Sequence, residues 1–384
     1  MKRSELLGQV TRQKKALCVA GTHGKTTTST MLAHLLHESS VGTSAFLGGI
    51  SNNYRSNLLI DHSSDFVVVE ADEYDRSFHR LSPYMTAITS IDPDHLDIYG
   101  TAEAYQEGFD VYAGLVEKAV VLKWGYEVKD CRATVYRYAG EWVPEQEDGL
   151  ERQDCPDQST GSERPDFYAE NVRVADGAIR YDMVTPDGVI RDVEPGVPVW
   201  VNIENSVAAA AIALLCGVTP EEVRRGLKSY TGVYRRFNIH VKNAKVVYVD
   251  DYAHHPTELR ASIESVRRIY PDRTFVAVFQ PHLYSRTRDF MDGFADVLST
   301  VDELILLPIY PAREKPIEGV TSEALMQEVL LRHPGCKVRV VQKTELAEVL
   351  AARVKASVTP VAVMTLGAGD IDRLVEDVRE AIGG

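Results

Sequence analysis

Two kinds of stretch alternate along the chain: short, almost wholly apolar runs, and longer segments whose apolar residues recur three or four positions apart. The apolar runs are Ala16 to Ala20, Asp65 to Glu70, Met85 to Ile91 and Lys118 to Leu122, then Val246 to Asp250, Phe275 to Phe279, Leu304 to Ile309, Val338 to Val341 and Val361 to Leu366. Runs of this length suit strands buried on both faces, and the helical segments between them are what a chain needs to cross back to a parallel neighbour. The expected fold class is α/β, with mostly parallel sheets covered by helices.

Local signals sharpen this pattern. A helix is expected from about Asn205, where NSVAAAAIALLCG stops at Gly217, and a second where Thr219-Pro220-Glu221-Glu222 supplies an N-cap, a proline at N1 and a glutamate at N3. From Glu141 to Asp166 the chain is acidic and rich in Pro, Gly and Ser, which predicts a solvated loop or hairpin excursion and not a domain linker. The Gly/Tyr-rich turn at Tyr230 to Tyr234 separates the two series, so domains are expected at 1–232 and 233–384. The 384 residues exceed one ordinary domain, and 44% hydrophobic content fills two cores.

Charge removes some function classes. A net charge of -14 argues against nucleic acid or an anionic membrane as the main partner, since both select basic surfaces. No apolar run approaches the roughly 20 residues that span a bilayer, and the start lacks the apolar stretch of a signal peptide. Cys18, Cys131, Cys155, Cys216 and Cys336 are odd in number and form no C-x-x-C pair, so neither a disulfide framework nor a zinc site is expected. A cytoplasmic protein fits these features.

Candidate chemistry begins where the first apolar run meets a helix. Gly21-Thr22-His23-Gly24-Lys25-Thr26-Thr27 has the composition of a triphosphate loop. Glycines let backbone N–H groups curl round phosphate oxygens, Lys25 bridges the outer phosphates of ATP, and the Thr26 hydroxyl is a ligand for Mg²⁺. Val19 stands where the G-x-x-x-x-G-K-[ST] pattern has its first glycine. A GTPase reading fits poorly: there is no Asn-Lys-x-Asp element, and the acidic residue after the second apolar run is Glu70 within a carboxylate group. That group, Glu70-Ala71-Asp72-Glu73-Tyr74-Asp75, and Asp92-Pro93-Asp94-His95-Leu96-Asp97 both follow apolar runs, at the strand ends where open parallel sheets place ligands. Glu70 suits Mg²⁺; His95 reads either as completing a second metal site beside it or as an ordinary loop residue, and Asp72, Glu73, Asp75, Asp94 and Asp97, taken singly, read as solvated loop charges.

GTHGKTTT, VVEADEYD and SIDPDHLDIYG together resemble the Mur ligase family, the ATP-dependent enzymes of peptidoglycan precursor synthesis. Val201-Asn202-Ile203-Glu204-Asn205 is similar to the family's Asn-x-x-Asn, and Gly232-Val233-Tyr234-Arg235-Arg236-Phe237 to its domain-junction arginine motif. The strings VDDYAHHPT, FQPHLYSRTR and PIEGV point to the members that add L-alanine. The resemblance implies a P-loop-type central ATPase domain followed by a Rossmann-like C-terminal domain. It implies phosphorylation of the carboxylate of UDP-N-acetylmuramate by ATP, then attack by the amine of L-alanine on the acyl phosphate. It gives Lys25 to the ATP phosphates, Thr26 and Glu70 to one Mg²⁺, and Glu70 with His95 to a second. Asn202 and Asn205 are implied beside the adenine, Arg236 with Arg235 at the phosphates, and Asp251 at the ribose. Tyr252, His254 and Arg286 match positions near the muramate carboxylate and the alanine. Closure of the second domain over the nucleotide is a further expectation.

Departures from the family pattern bear on these expectations. The phosphate loop starts only at Gly21, so an N-terminal UDP-binding domain is expected to be lacking. Val201 stands where many relatives have histidine, and Leu283 where many have arginine. The stretch Tyr99 to Val116 has no lysine, so no carbamylated lysine is expected. Two alternatives remain open: a murein tripeptide recycling ligase, and a nucleotide-binding fragment inactive without the further domain.

Overall fold

The computed structural model describes residues 3–93, 96–143 and 164–383, and divides them between two compact units, Met1–Tyr234 and Arg235–Gly384. In the first unit the elements run α1 (Arg3–Gln13), β1 (Lys15–Ala20), α2 (Lys25–His37), β2 (Ser44–Ser51), β3 (Ser56–Leu59), β4 (Phe66–Glu70), β5 (Pro83–Ile88), α3 (Leu96–Tyr99), α4 (Ala102–Gly114) and β6 (Ala119–Lys123). They continue with β7 (Thr134–Glu141), β8 (Phe167–Ala175), β9 (Ala178–Thr185), β10 (Gly188–Val193), α5 (Val201–Leu215) and α6 (Pro220–Ser229). The strands form one sheet in the order β10-β9-β8-β7-β6-β5-β1-β4-β2-β3. From β7 to β2 every neighbouring pair is parallel.

This order decides where a site can form. β1 lies between β4 and β5 and is parallel to both, so the phosphate loop, the carboxylate group and the turn after β5 all emerge at one end of the sheet. Ala16 to Ala20 have no exposed surface, as expected for a central strand covered on both faces. Helices α2 and α5 pack on each other; the alanine run of α5, Ala208 to Ala211, is wholly buried and allows a close approach.

The second unit contains β11 (Asn238–Lys242), β12 (Val246–Asp251), α7 (Pro256–Ile269), β13 (Thr274–Phe279), α8 (Tyr284–Asp289), α9 (Met291–Leu298) and β14 (Glu303–Leu306). After these come α10 (Ser322–Arg332), β15 (Lys337–Val340), α11 (Leu346–Ala356), β16 (Val361–Leu366) and α12 (Val375–Gly383). Its sheet order is β11-β12-β16-β13-β14-β15, parallel except for β11 against β12. One side of that sheet packs Val246, Tyr248, Val276, Val278 and Val363 against Leu346, Leu350, Val378 and Ile382 of α11 and α12. Among the described residues no helix is long and apolar enough to cross a membrane.

Several expected boundaries move. β5 ends at Ile88, not Ile91: Thr89 N gives Ala20 O the last rung at 3.0 Å, and from there the Thr89 and Ser90 side chains bond His23 instead of continuing a strand. β14 ends at Leu306, not Ile309, and Pro308 has no N–H with which to extend a ladder. α5 starts at Val201, one turn before Asn205, so both asparagines lie inside its first turns. The expected excursion from Glu141 to Asp166 falls for residues 144–163 outside the described residues. Beyond it, β8, β9 and β10 form an antiparallel meander that the apolar-run pattern missed. Its first turn carries Asp176 and Gly177 at φ 55° and 70°, the Asp-Gly signature of a tight hairpin.

The capping box read from Thr219 and Glu222 is present, each side chain bonding the other's backbone N–H. Thr219→Ala is expected to lower the unfolding free energy of the first unit by about 1 kcal/mol, read as a shift in urea midpoint at unchanged slope.

Candidate functional site

The phosphate loop is built by backbone geometry that only glycine accepts. Gly21 has φ 130°, and a Cβ there would lie 2.7 Å from Ser90 N; Gly24 caps α2 at φ 80°, where a Cβ would lie 2.8 Å from Asn205 Oδ1. The turn after β5 fastens the loop from the side: Thr89 Oγ1 donates to His23 O at 2.5 Å, and Ser90 Oγ accepts from His23 N at 2.9 Å. Thr22 Oγ1 donates to Asp92 O at 2.7 Å. The first intrahelical bond of α2 runs from Thr28 N to Gly24 O, so the amides of Lys25, Thr26 and Thr27 lie in the first turn, where an α-helix has no carbonyl for them. A helix N-terminus of this kind receives phosphate oxygens.

Lys25 does not hang free in this loop. Its Nζ donates to Gly21 O at 2.8 Å and lies 2.8 Å from both carboxylate oxygens of Glu73. Glu73 is 1% exposed, so the expectation that it is a solvated loop charge is wrong: the 3₁₀ turn Tyr74–Arg80 folds it inward, and Tyr99 donates its hydroxyl to Glu73 O at 2.6 Å. Burial pushes the Glu73 carboxyl up and the Lys25 ammonium opposes that shift. Asp72 and Asp75 are exposed, as read from sequence. Thr89, Ser90 and Glu73 are the residues that motif reading missed, because each acts through a turn conformation and not through a residue pattern.

Glu70 closes β4, half-buried, with Oε1 2.7 Å from the point where a Cβ at Gly48 would sit. A cavity of about 220 Å³ lined by Gly48, Glu70, Asp72 and Phe78 lies beside it. Thr26 stands on the first turn of α2, its methyl 3.0 Å from the corresponding point at Gly49. Hard oxygen donors from one carboxylate and one hydroxyl suit Mg²⁺, which takes few protein ligands and completes its shell with phosphate and water. His95 lies outside the described residues. Among those residues no three His, Cys, Asp or Glu side chains group as a metal site.

Asn202 and Asn205 form a buried chain to the phosphate helix: Asn205 Nδ2 donates to Asn202 Oδ1 at 3.0 Å, and Thr28 Oγ1 donates to Asn205 Oδ1 at 3.1 Å. Asn202 Nδ2 donates to Val197 O at 3.1 Å. The amides thus tie α5 to α2, while Val201 beside them is exposed.

In the second unit the two adjacent arginines separate in role. Arg235 is buried and donates to Gly367 O at 2.5 Å and Gly369 O at 3.3 Å, with Asp372 at 3.7 Å. Arg236 is exposed, and both guanidinium groups lie over the Tyr252 ring, at 4.9 and 5.4 Å. Asp251 is buried and accepts from the Ser262 hydroxyl; burial raises its carboxyl. His254 places Nδ1 3.0 Å from Tyr252 O and 3.3 Å from Glu258 Oε2, with its ring 5.2 Å from that of Tyr252. Burial, opposed by Glu258 and aided by Arg286 and Arg236, lowers its pKa, so His254 is neutral at pH 7.

Comparison with known proteins adds to this geometry. Residues 19–213 match the Mur ligase middle domain family and residues 235–369 the family described as Mur ligase, glutamate ligase domain. The chain is 51% identical to the UDP-N-acetylmuramate–L-alanine ligase of Parabacteroides distasonis over 385 residues, covering 100% of this chain and 77% of that protein. It is 50% identical to the enzyme of the same name from Phocaeicola vulgatus, over 98% of this chain and 77% of that one. The crystal structure of UDP-N-acetylmuramate–alanine ligase from Thermotoga maritima superposes with a TM-score of 0.75 at 23% identity, covering 99% of this chain and 76% of that one.

One buried acid beside this site gives a pH prediction. Asp250 accepts from Thr365 Oγ1 at 2.8 Å, and burial raises its pKa to about 6 despite Arg235. An aspartate in the unfolded chain titrates near about 3.9, so the folded form binds the proton more tightly, favours folding in acid, and loses that contribution as pH rises from about 4 to above 6. Asp250→Asn removes the titration. In a pH series of denaturant midpoints, wild type is expected to lose about 3 kcal/mol relative to the variant across that window; parallel profiles would show that Asp250 does not titrate there.

Proposed function

The chain belongs to the Mur ligase family, and from that premise we propose how its residues divide the work. It is an ATP-dependent ligase of peptidoglycan precursor synthesis that joins L-alanine to UDP-N-acetylmuramate by an amide bond. The observation that carries the residue assignment is the phosphate loop, with Lys25 poised at a helix N-terminus and held there by Glu73.

In this reading Lys25 exchanges the Glu73 carboxylate for the outer phosphates of ATP, while the first-turn amides of α2 cradle them, Gly21 to Thr27 forming the loop. Thr26 and Glu70 would hold Mg²⁺, with His95 contributing to a second ion, and when bound the cation would neutralise charge on the phosphates. Asn202 and Asn205 set the height of α5 against the loop at the adenine end, and Asp251 takes the ribose role that the family pattern gives it. In the second unit Arg236 is the guanidinium available for phosphate, because Arg235 is buried and both its terminal nitrogens donate within its own unit, to Gly367 O and Gly369 O.

The muramate carboxylate attacks the terminal phosphorus of ATP, and ADP leaves with an acyl phosphate formed. Only the neutral amine of L-alanine attacks that carbonyl, so a proton must first leave its ammonium. His254 suits this: with Nδ1–H turned to Tyr252 O, its Nε2 lone pair is free to accept. Tyr252 and Arg286 flank it and orient the alanine. The tetrahedral intermediate then expels phosphate and leaves the amide. Positioning and electrostatics supply most of the rate enhancement in such transfers.

Phosphate release from ATP and Mg²⁺ is expected to need both UDP-N-acetylmuramate and L-alanine and to fall on the order of a hundredfold or more in Lys25→Ala. Release supported by UDP-N-acetylmuramate with the murein tripeptide in place of L-alanine would favour the recycling ligase. ATP binding with no release under any combination would favour a nucleotide-binding fragment.

A further inference from the structure

β2 contains two consecutive glycines, Gly48 and Gly49, where it passes the phosphate loop and the end of β4. Its parallel pairing with β4 runs from Ser44 opposite Val67 to Phe46 opposite Val69, so the residues that follow continue alongside Glu70. The Glu70 side chain crosses β2 at Gly48. A Cβ at that position would lie 2.6 Å from the carboxylate carbon and 2.7 Å from Oε1, and would press on Oε2 as well. Oε2 is shielded from solvent there, and the cavity lined by Leu7, Asp72 and Phe78 opens beside it.

The backbone does not call for glycine at this point. Gly48 lies outside the left-handed region that Gly21 and Gly24 occupy, so an alanine can adopt its conformation. A glycine of that kind inside a strand often marks a close approach by another group. The three heavy atoms nearest to the missing Cβ all belong to the Glu70 carboxylate. Gly49 differs: its missing Cβ faces Val233 Cγ1 at 2.7 Å and the Thr26 methyl at 3.0 Å, which are apolar packing contacts. Of the two glycines, Gly48 is the one that leaves room for an ionisable group.

We propose that Gly48 is a positioning residue: the side chain it lacks is the seat of the Glu70 carboxylate, and that seat sets where the carboxylate oxygens are presented to a divalent cation. The proposal rests on the reading of Glu70 as a metal ligand. A methyl group at position 48 fills the seat. Because it meets the far end of a flexible side chain, the strain is relieved by rotating Glu70 and not by moving β2. Restoring an ordinary contact distance shifts the carboxylate by about 1 Å. Mg²⁺ demands near-ideal octahedral geometry, and its ligand distances tolerate errors of only about 0.2 Å, so a shift of that size spoils the ligand. Shortening residue 70 by one methylene draws the carboxylate clear of the new methyl.

Calorimetric titration of ATP into the full chain, once with Mg²⁺ and once with EDTA, reads the share of binding that depends on the cation. In Gly48→Ala the ratio of the two affinities is expected to fall about tenfold, with the affinity in EDTA and the urea midpoint unchanged. Glu70→Asp added to Gly48→Ala is expected to recover the ratio severalfold, a coupling that only residues in contact show. An equal loss with and without Mg²⁺ would overturn the proposal, because the effect would then lie in the phosphate loop. A further fall in the double variant would overturn it too, since the methyl would then act elsewhere than on the carboxylate. If Glu70→Gln lowers the ratio and Gly48→Ala does not, Gly48 has no such role. If Glu70→Gln leaves the ratio unchanged, the assignment of Glu70 to the cation fails as well.

Discussion

The pairing of a half-buried ammonium with a buried carboxylate, Lys25 with Glu73, is the constraint on which the first site depends. A lysine placed at the positive end of a helix, with little water around it, needs a negative partner. The fold supplies one from the strand next door, because β1 and β4 are adjacent and parallel and their carboxyl ends open at the same edge. Such a pair adds little to stability, since desolvation offsets most of the attraction. In the function proposed above its consequence is positional: the ammonium waits at the place assigned to the outer phosphates of ATP, with the Glu73 carboxylate as the anion they would displace.

The second unit solves a different problem with similar parts. Two arginines in sequence would compete for the same ligand if both were exposed. Instead Arg235, at φ 61°, turns inward and binds the carbonyls of the glycine turn after β16, while Arg236 is exposed and lies 5.4 Å from the centroid of the Tyr252 ring. Gln280 supports the same turn, accepting from Ile371 N at 2.9 Å and donating to Asp370 at 2.8 Å. A scaffold of committed polar groups thus leaves Arg236, His254 and Arg286 for the chemistry proposed above.

Much of this was legible in the sequence, and the misses have physical causes. Apolar runs marked the central strands because parallel strands bury both faces, whereas β8 to β10 mix buried residues with exposed and half-buried polar ones and read as polar. The Gly-Lys-Thr loop was legible because glycine is required at its left-handed positions. Glu73 was not, since its burial depends on a turn in which Asp75 and Arg76 adopt positive φ, and nothing in a string of acidic residues says which one folds inward. Asn202 and Asn205 were read as the start of a helix; they lie inside it, where their amides bond α2 more than they cap α5. Adjacent Arg235 and Arg236 look alike in sequence and differ only through the backbone angle between them.

The exchange of partners at Lys25 is tested most directly by calorimetric titration of ATP with Mg²⁺ into the wild-type chain and into Glu73→Gln. If the carboxylate competes with phosphate for the ammonium, the variant binds ATP severalfold more tightly, since the glutamine keeps the shape and removes the competing charge. Weaker binding in Glu73→Gln would contradict this, and would mean that Glu73 serves the bound nucleotide instead of standing in its place.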